Sequence, residues 1–98
     1  METMTKSELI EAVAKRSEIT LDRAAIVVNA VFEQMIDAMK RGERIEIRNF
    51  GNFTVKDYEG YEGRNPKTGE KVTVPPKRLP FFKAGLGLRQ TINVRAKR

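Results

Sequence analysis

The 98-residue sequence contains no cysteine, no histidine and no tryptophan. Without cysteine there is no disulfide framework and no thiolate metal site, and a reducing compartment is expected. Without histidine and cysteine the chain also lacks the commonest general base, the thiol nucleophile and the commonest soft metal ligands. We therefore expect a binding protein rather than an enzyme, with no catalytic residue, no metal and no cofactor.

Long apolar runs are also missing. No stretch approaches the roughly 20 apolar residues that span a bilayer, and residues 1–6 lack the basic and apolar regions of a secretory signal. The sequence thus predicts a soluble, cytoplasmic protein with no membrane partner and no small-molecule substrate. Its length suits one domain, and because no internal repeat or linker is evident, we expect a single domain over residues 1–98.

Acidic residues are absent from the last part of the chain. Residues 1–70 hold 11 Lys and Arg together with all 13 Asp and Glu, whereas residues 71–98 hold 8 Lys and Arg and no acid. This asymmetry favours a polyanionic partner, because Lys and Arg near phosphates release condensed counterions. Considered alone, the asymmetry is explained equally well by a solvated basic surface or by a flexible basic tail at residues 95–98.

Two helices are predicted within residues 5–41. Thr5 and Glu8 have the spacing of a capping box, Thr20 offers a second N-cap, and Gly42 follows the basic end of the second helix. The apolar residues of this long second helix cover about half of its circumference. They are Leu21, Ala24, Ala25, Val27, Val28, Val31, Phe32, Met35, Ile36, Ala38 and Met39. So wide a stripe requires a further partner, either a sheet or a second subunit.

The hydrophobic period changes to two after Gly42, which indicates β-strands. We expect an α+β fold with two N-terminal helices, a three-stranded antiparallel sheet carrying a protruding two-stranded β-ribbon arm, and a C-terminal helix. The sheet is assigned to residues 43–56 and 71–82, the arm to 57–70, the helix to 83–94 and a basic tail to 95–98. The arm has few apolar side chains, so it is expected to leave the core.

The stretch GRNPKTGE, residues 63–70, lies at the tip of this predicted arm. Pro66 has a fixed φ and no N–H, so it can serve as a rigid apolar wedge that tolerates exposure. If the partner is a nucleic-acid duplex, Arg64 can enter its narrow minor groove, Asn65 can bond to hydrogen-bond acceptors in that groove and Lys67 can contact a phosphate. Without further context, such a motif is more often an ordinary exposed turn.

The order of several motifs resembles the bacterial histone-like HU and integration host factor family of DNA-bending proteins. These motifs are TKSELI, GERIEIRNFGNF, GRNPKTG and PFFKAG, and the resemblance covers residues 4 to about 94. The GERIEIR stretch is more similar to the integration host factor beta-type chain. The resemblance implies an intertwined dimer, formed with an identical or a related chain, whose core includes Phe50, Phe53 and Phe82.

The resemblance also implies double-stranded DNA as the partner, with both arms wrapping the minor groove and Pro66 inserting between base pairs. Condensation and organisation of DNA in the bacterial nucleoid are the implied roles. The implied arm contacts are Lys56, Tyr58, Tyr61, Arg64, Asn65, Lys67 and Lys71. The implied body contacts are Lys6, Arg48, Lys77, Lys83 and Arg89. For each basic residue alone, a solvated charge is an equally good interpretation.

The sequence departs from the family pattern in the arm. Tyr58 and Tyr61 stand where arginines are usual, Glu59 and Glu62 add negative charge, and Leu86 replaces a familiar lysine. Residues 56–77 contain five Lys and Arg against four Asp and Glu, so the arm is a weak electrostatic clamp. We hypothesise that the two tyrosines contact sugars or groove walls. Affinity would then shift toward the C-terminal basic surface, which includes Arg95, Lys97 and Arg98.

Two other functions stay open on the sequence. The chain could be a protein-interaction module whose arm docks a partner, in which case binding would be insensitive to salt. It could instead bind RNA, with a preference for single strands or A-form duplex. Homodimer and heterodimer are both compatible with the sequence, as are general and site-selective DNA binding. An enzyme is disfavoured, because neither glycine-containing stretch has the spacing of a phosphate-binding loop or a dinucleotide fingerprint.

Overall fold

The computed structural model describes residues 2–93, and the chain divides into two compact units, Met1–Asp37 and Ala38–Arg98. The helices are α1 Lys6–Ser17, α2 Leu21–Lys40 and α3 Leu86–Asn93. The strands are β1 Ile45–Ile47, β2 Gly51–Tyr58, β3 Tyr61–Arg64, β4 Lys71–Val74 and β5 Lys77–Ala84. The predicted α+β class, with three helices, a three-stranded sheet and a two-stranded ribbon, is confirmed. A single domain over all 98 residues stays a prediction.

Local capping fixes the start of both N-terminal helices. The Thr5 hydroxyl accepts the Glu8 backbone N–H at 3.3 Å, and the Glu8 carboxylate accepts the Thr5 backbone N–H at 3.3 Å. This reciprocal pair is the predicted capping box. Between the helices Glu18 adopts a left-handed conformation with φ 55°, and the Thr20 hydroxyl then caps α2 by accepting the Arg23 N–H at 3.2 Å.

The apolar stripe of α2 stays largely uncovered in the single chain. Among the described residues, the buried hydrophobic side chains are Ala24 and Val28. Several larger apolar side chains of the same helix are about half exposed, for example Val31 at 53% and Ile36 at 49%, whereas Met35 and Met39 are half-buried. That this helix needs a further partner stays a prediction.

The main sheet has the order β1-β2-β5, and both pairings are antiparallel. Phe53 lies opposite Phe82 on one face, and their ring centroids are 4.7 Å apart. Phe50, just before β2, brings its ring centroid to 5.6 Å from that of Phe82. These three rings are called the aromatic cluster below. Gly51 makes the close packing possible, because a Cβ there would sit 2.6 Å from the Phe82 ring.

The predicted boundary between sheet and arm was wrong. Residues 71–74 were assigned to the main sheet, but Lys71–Val74 pairs with Tyr61–Arg64 in a separate two-stranded sheet, whereas Asp57 and Tyr58 belong to the main sheet. Residues 59–60 separate β2 from β3, and residues 75–76 separate β4 from β5 at the corresponding point of the opposite strand. Consecutive prolines at 75 and 76 offer no N–H to a ladder, and this elbow separates the ribbon from the main sheet.

The predicted start of the last helix was also wrong. Residue 83 was expected to be helical, but Lys83 and Ala84 extend β5 by pairing with Asn52 and Gly51. The helix begins at Leu86, after the Gly85 N–H has donated to the Phe50 carbonyl at 2.9 Å. Because β2 already begins at Gly51, it offers backbone pairing to β5 as far as Ala84. The predicted end of this helix at residue 94 and the basic tail at 95–98 lie outside the described residues.

Candidate nucleic-acid interface

Asn65 organises the backbone at the tip of the β3–β4 ribbon. Its backbone N–H donates to the Glu70 carbonyl at 2.9 Å, and its own carbonyl accepts the Gly69 N–H at 2.7 Å. The Asn65 Oδ1 atom accepts the Lys67 N–H at 2.9 Å, which is an Asx turn. Pro66 sits inside this turn, where no N–H is required of it, and is exposed. The turn thus presents the proline ring on a defined backbone.

Two cations face each other just below the tip. Arg64 and Lys71 are directly opposite in the β3–β4 register, so their side chains lie on the same face of the ribbon. The Arg64 Nη1 atom also donates to the Gly69 carbonyl at 3.3 Å, which holds the guanidinium near the turn. Like charges directly opposite in a sheet are destabilising. Glu62, opposite Thr73, is the acidic residue on the same face, two residues farther from the tip. This face of the ribbon therefore holds two cations beside one carboxylate.

The other face of the ribbon is apolar. Tyr61 lies opposite Val74, and Gly63 lies opposite Val72. The Tyr61 ring extends along Gly63, since a Cβ at Gly63 would be 3.6 Å from a carbon of that ring. Tyr61 is 64% exposed and Val72 is 45% exposed. The ribbon thus offers a solvent-facing apolar strip opposite the face that carries Arg64.

One face of the main sheet collects the predicted basic contacts of the sheet. We call it the lysine face and define it by the β2 and β5 residues that alternate with the aromatic cluster. These are Asn52, Thr54, Lys56, Tyr58, Lys77, Leu79, Phe81 and Lys83. The register places Lys77 opposite Tyr58, Lys56 opposite Leu79 and Lys83 opposite Asn52. Four of the sequence-predicted contacts, Lys56, Tyr58, Lys77 and Lys83, are thereby brought onto one surface.

Aromatic rings contact two of these lysines. The Lys56 Nζ atom lies 3.9 Å from the ring centroid of Phe81, and the Lys77 Nζ atom lies 5.9 Å from the ring centroid of Tyr58. Both distances are within the range of cation–π attraction, which is about 6 Å. Phe81 is not among the sequence-predicted contacts. Its only signal was period-two alternation beside Phe82, which requires the two neighbouring rings to lie on opposite faces.

Several arginines, in contrast, are paired with carboxylates. The nitrogen–oxygen distances are 2.7 Å for Arg41–Glu43, 3.8 Å for Arg44–Glu46 and 3.0 Å for Arg78–Asp57. The hydrogen bond from Arg41, reinforced by its charge, holds the pKa of the Glu43 carboxyl below its ordinary value. These pairs compensate the arginine charges, whereas the rings beside Lys56 and Lys77 carry no net charge.

The remaining predicted body contacts lie exposed in separate elements. Lys6 is the first residue of α1, Arg48 lies between β1 and β2, and Arg89 belongs to α3. Leu86, which departs from the family pattern, is 66% exposed at the start of α3. The proposed contributions of residues 95, 97 and 98 lie outside the described part of the chain.

Neither a metal centre nor a membrane span is found between residues 2 and 93. No group of three or more acidic residues there could hold a metal ion. The helices of the same range are too short or too polar to cross a bilayer.

Comparisons with known proteins agree on one family. The family model described as bacterial DNA-binding protein matches residues 4–93. The chain is 42% identical over 89 residues to DNA-binding protein HU 1 of Bacillus subtilis, covering 91% of this chain and 97% of that protein. It is 50% identical over 91 residues to integration host factor subunit beta of Ralstonia nicotianae, covering 92% of this chain and 66% of that protein.

Solved structures give the same result. An Anabaena HU–DNA cocrystal structure matches with a TM-score of 0.78 and 38% identity, covering 91% of this chain and 97% of that one. The structure of HU from Thermotoga maritima matches with a TM-score of 0.65 and 25% identity, covering 91% of this chain and 98% of that one.

Proposed function

Because this chain belongs to the bacterial DNA-binding protein family, whose members bind DNA and are not enzymes, we propose that it bends duplex DNA by inserting Pro66 from the minor groove. Nucleoid organisation in the cytoplasm is part of this proposal. One observation carries it: the exposed Pro66 stands at the end of a separate two-stranded ribbon, in a turn fixed by Asn65.

The chemistry of the tip supports a wedge. The three hydrogen bonds made by Asn65 limit the motion of the turn, and the pyrrolidine ring of Pro66 adds its own fixed φ. Little ordering is then required when the ring enters a base step. Unstacking that step costs a few kcal/mol, which phosphate contacts made by the bent duplex offset.

The two faces of the ribbon suit the two surfaces of a minor groove. Arg64 and Lys71 repel each other across one rung, and negative potential between them removes that repulsion. A narrow minor groove has such a potential and attracts arginine and lysine. On the opposite face, Tyr61 and Val72 offer an apolar strip to the deoxyribose walls. This assignment gives Tyr61 a role that does not depend on charge.

The lysine face supplies the phosphate contacts of the body. Lys56, Lys77 and Lys83 lie on one side of the main sheet, where phosphates of a bent duplex can be neutralised with release of counterions. We assign Lys6, Arg48 and Arg89 to flanking phosphates on the basis of the family resemblance. Binding should therefore weaken steeply as salt is raised.

Dimerisation is the second part of the proposal. Apolar side chains of α2 and of the aromatic cluster are exposed in the single chain, for example Val31, Ile36 and Phe50, and contiguous exposed apolar patches mark interaction sites. An intertwined dimer with a second copy or a related chain would cover these side chains, with Phe50, Phe53 and Phe82 in the shared core. Two chains would also provide two arms, as wrapping requires.

Fluorescence-detected bending tests this function. An end-labelled duplex of about 35 base pairs, well below the persistence length of roughly 150 base pairs, is titrated with wild type, Pro66→Ala and the control Pro80→Ala at several salt concentrations. Pro80 lies in β5, away from the tip. We expect a salt-sensitive bend that Pro66→Ala largely abolishes and Pro80→Ala retains. Full bending by Pro66→Ala would refute the wedge, and preference for A-form duplex or single strands would favour RNA binding.

A further inference from the structure

The lysine face carries an exposed aromatic residue that the aromatic cluster does not explain. Phe81 is 45% exposed and lies on the sheet face opposite to its neighbour Phe82. Leu79, on the same face as Phe81, is 43% exposed. Exposure of this size has a cost in apolar hydration. Phe81 is therefore available for a contact outside the aromatic cluster.

The contact made by Phe81 is diagonal across the sheet. Lys56 pairs with Leu79 in the register, whereas Phe81 pairs with Thr54. The Lys56 ammonium nevertheless lies 3.9 Å from the Phe81 ring centroid, so its side chain leans one rung away from the arm and toward the middle of the sheet. This geometry fixes the direction of a long side chain that would otherwise sample many rotamers.

The choice of partner matters electrostatically. Arg78 is paired with Asp57 at 3.0 Å, and a carboxylate partner cancels much of the positive field that a phosphate would meet. A phenyl ring is neutral, so Lys56 keeps its full charge while its ammonium is held in place. The ring covers one side of the ammonium, and the solvent side remains open to an anion.

We propose that Phe81 is a positioning residue: its ring holds the Lys56 ammonium ready for a phosphate of the duplex on the lysine face. This inference rests on the proposed function and adds to it a residue that determines affinity without touching DNA. The ring orders the Lys56 side chain in the free protein, so less conformational entropy is lost when the phosphate binds. Tyr58 and Lys77, at 5.9 Å, form a longer pair of the same kind.

A double-mutant cycle tests the inference. Duplex affinity is measured by fluorescence anisotropy across a salt titration for wild type, Phe81→Leu, Lys56→Gln and the double variant, with Phe81→Tyr as the ring-retaining control. Phe81→Leu returns the ordering cost of one long side chain to the binding step and should weaken binding about two- to tenfold, and Phe81→Tyr should bind like wild type. In the Lys56→Gln background, Phe81→Leu should have no further effect.

The salt dependence separates position from charge. Lys56→Gln removes one phosphate contact and should reduce the slope of log affinity against log salt by about 0.9. Phe81→Leu leaves the charge in the chain and should keep nearly the wild-type slope. In the free protein, the ε-methylene protons of Lys56 should show an upfield ring-current shift by NMR that Phe81→Leu abolishes and Phe81→Tyr preserves.

Three results would overturn the inference. An equal loss of affinity from Phe81→Leu in both backgrounds would mean that Phe81 contacts DNA itself or only supports the fold. Unchanged affinity in Phe81→Leu would mean that positioning of Lys56 does not contribute to DNA binding. An absent ring-current shift would mean that Lys56 and Phe81 are not in contact in solution. Failure of the wild type to bind duplex DNA is a separate result, because it refutes the proposed function before any variant is compared.

Discussion

Arg78 joins the end of α2 to the strands of the main sheet, and its replacement should lower the free energy of unfolding. Its Nε atom donates to the Asp57 carboxylate at 3.0 Å. Its Nη1 and Nη2 atoms donate to the carbonyls of Lys40 and Met39 at 3.2 and 3.4 Å. These carbonyls belong to the last turn of the helix, where no intrahelical donor remains for them, and the Met39 carbonyl also accepts the Gly42 backbone N–H at 3.0 Å. One guanidinium thus adds hydrogen-bond donors at the helix end and makes an ion pair.

The magnitude follows from these contacts. The side chains of Arg78 and Asp57 are 51% and 76% exposed, and an ion pair so exposed contributes about 0.2 to 1 kcal/mol. The shorter carbonyl bond adds about 0.5 to 1.5 kcal/mol, and the 3.4 Å bond is long enough to be neglected. We therefore expect Arg78→Gln to lower the free energy of unfolding by about 1 to 2 kcal/mol.

Urea denaturation followed by far-UV circular dichroism measures this loss. All variants are compared at one protein concentration, because dimerisation makes apparent stability depend on concentration. Asp57→Asn removes the ion pair and leaves the carbonyl bonds, so it should cost about 0.2 to 1 kcal/mol. Arg44→Gln is the matched control, since its pair with Glu46 is longer, at 3.8 Å. The reasoning is refuted if Arg78→Gln costs no more than Asp57→Asn.

Three further predictions concern the arm, the acid range and the sheet. Tyr61→Arg should tighten duplex binding and steepen its salt slope by up to about 0.9, and no change in either quantity would contradict the view of the arm as a weak clamp. The pKa of Glu43 is lowered chiefly by its hydrogen bond with Arg41. The stability that this pair adds to the fold is therefore fully present above the ordinary glutamate pKa and is lost as the pH falls through the lowered pKa of the folded state. Glu43→Gln should flatten this acid limb in urea titrations run at stepped pH, and an unaltered limb would show that the pair adds nothing. Gly51→Ala would place a Cβ 2.6 Å from both the Lys83 carbonyl oxygen and the Phe82 ring and should destabilise the fold by about 1 to 3 kcal/mol. A wild-type urea midpoint would mean that the ring and the β5 backbone both shift at no cost.

The two N-terminal helices were predictable because their starts are decided locally. The Thr5 hydroxyl and the Glu8 carboxylate need only the spacing of a capping box to find each other, and Thr20 needs only the N–H three residues ahead. The boundary between sheet and arm depends instead on two distant interruptions that coincide. Pro76 was recognisable as a breaker, but the elbow also needs Gly60 opposite, where a Cβ would lie 2.7 Å from the Val74 carbonyl.

The candidate interface was predictable in part for the same reason. The tip around Pro66 follows from a contiguous motif whose turn is closed by its own neighbours. Phe81 and Arg78 could not be predicted, because their contacts depend on the pairing of β2 with β5. The family resemblance already implied that Phe82 joins Phe53, and alternation then puts Phe81 on the opposite face, but only the register brings Phe81 close to Lys56.

The small net charge of the arm understates its capacity to bind an anion, because charge acts face by face. Asp57 lies next to Lys56 in sequence but on the opposite face of the sheet, where Arg78 binds it. The Lys56 ammonium therefore keeps a neutral ring as its nearest partner. At the other end of the arm, Arg64 and Lys71 stand opposite each other. Glu62 shares the face of Arg64 and Lys71, but no member of the lysine face is acidic. A polyanion on the lysine face therefore meets a field more positive than the count of residues 56–77 suggests, and substitutions there should change affinity more than equal changes of charge on the reverse face.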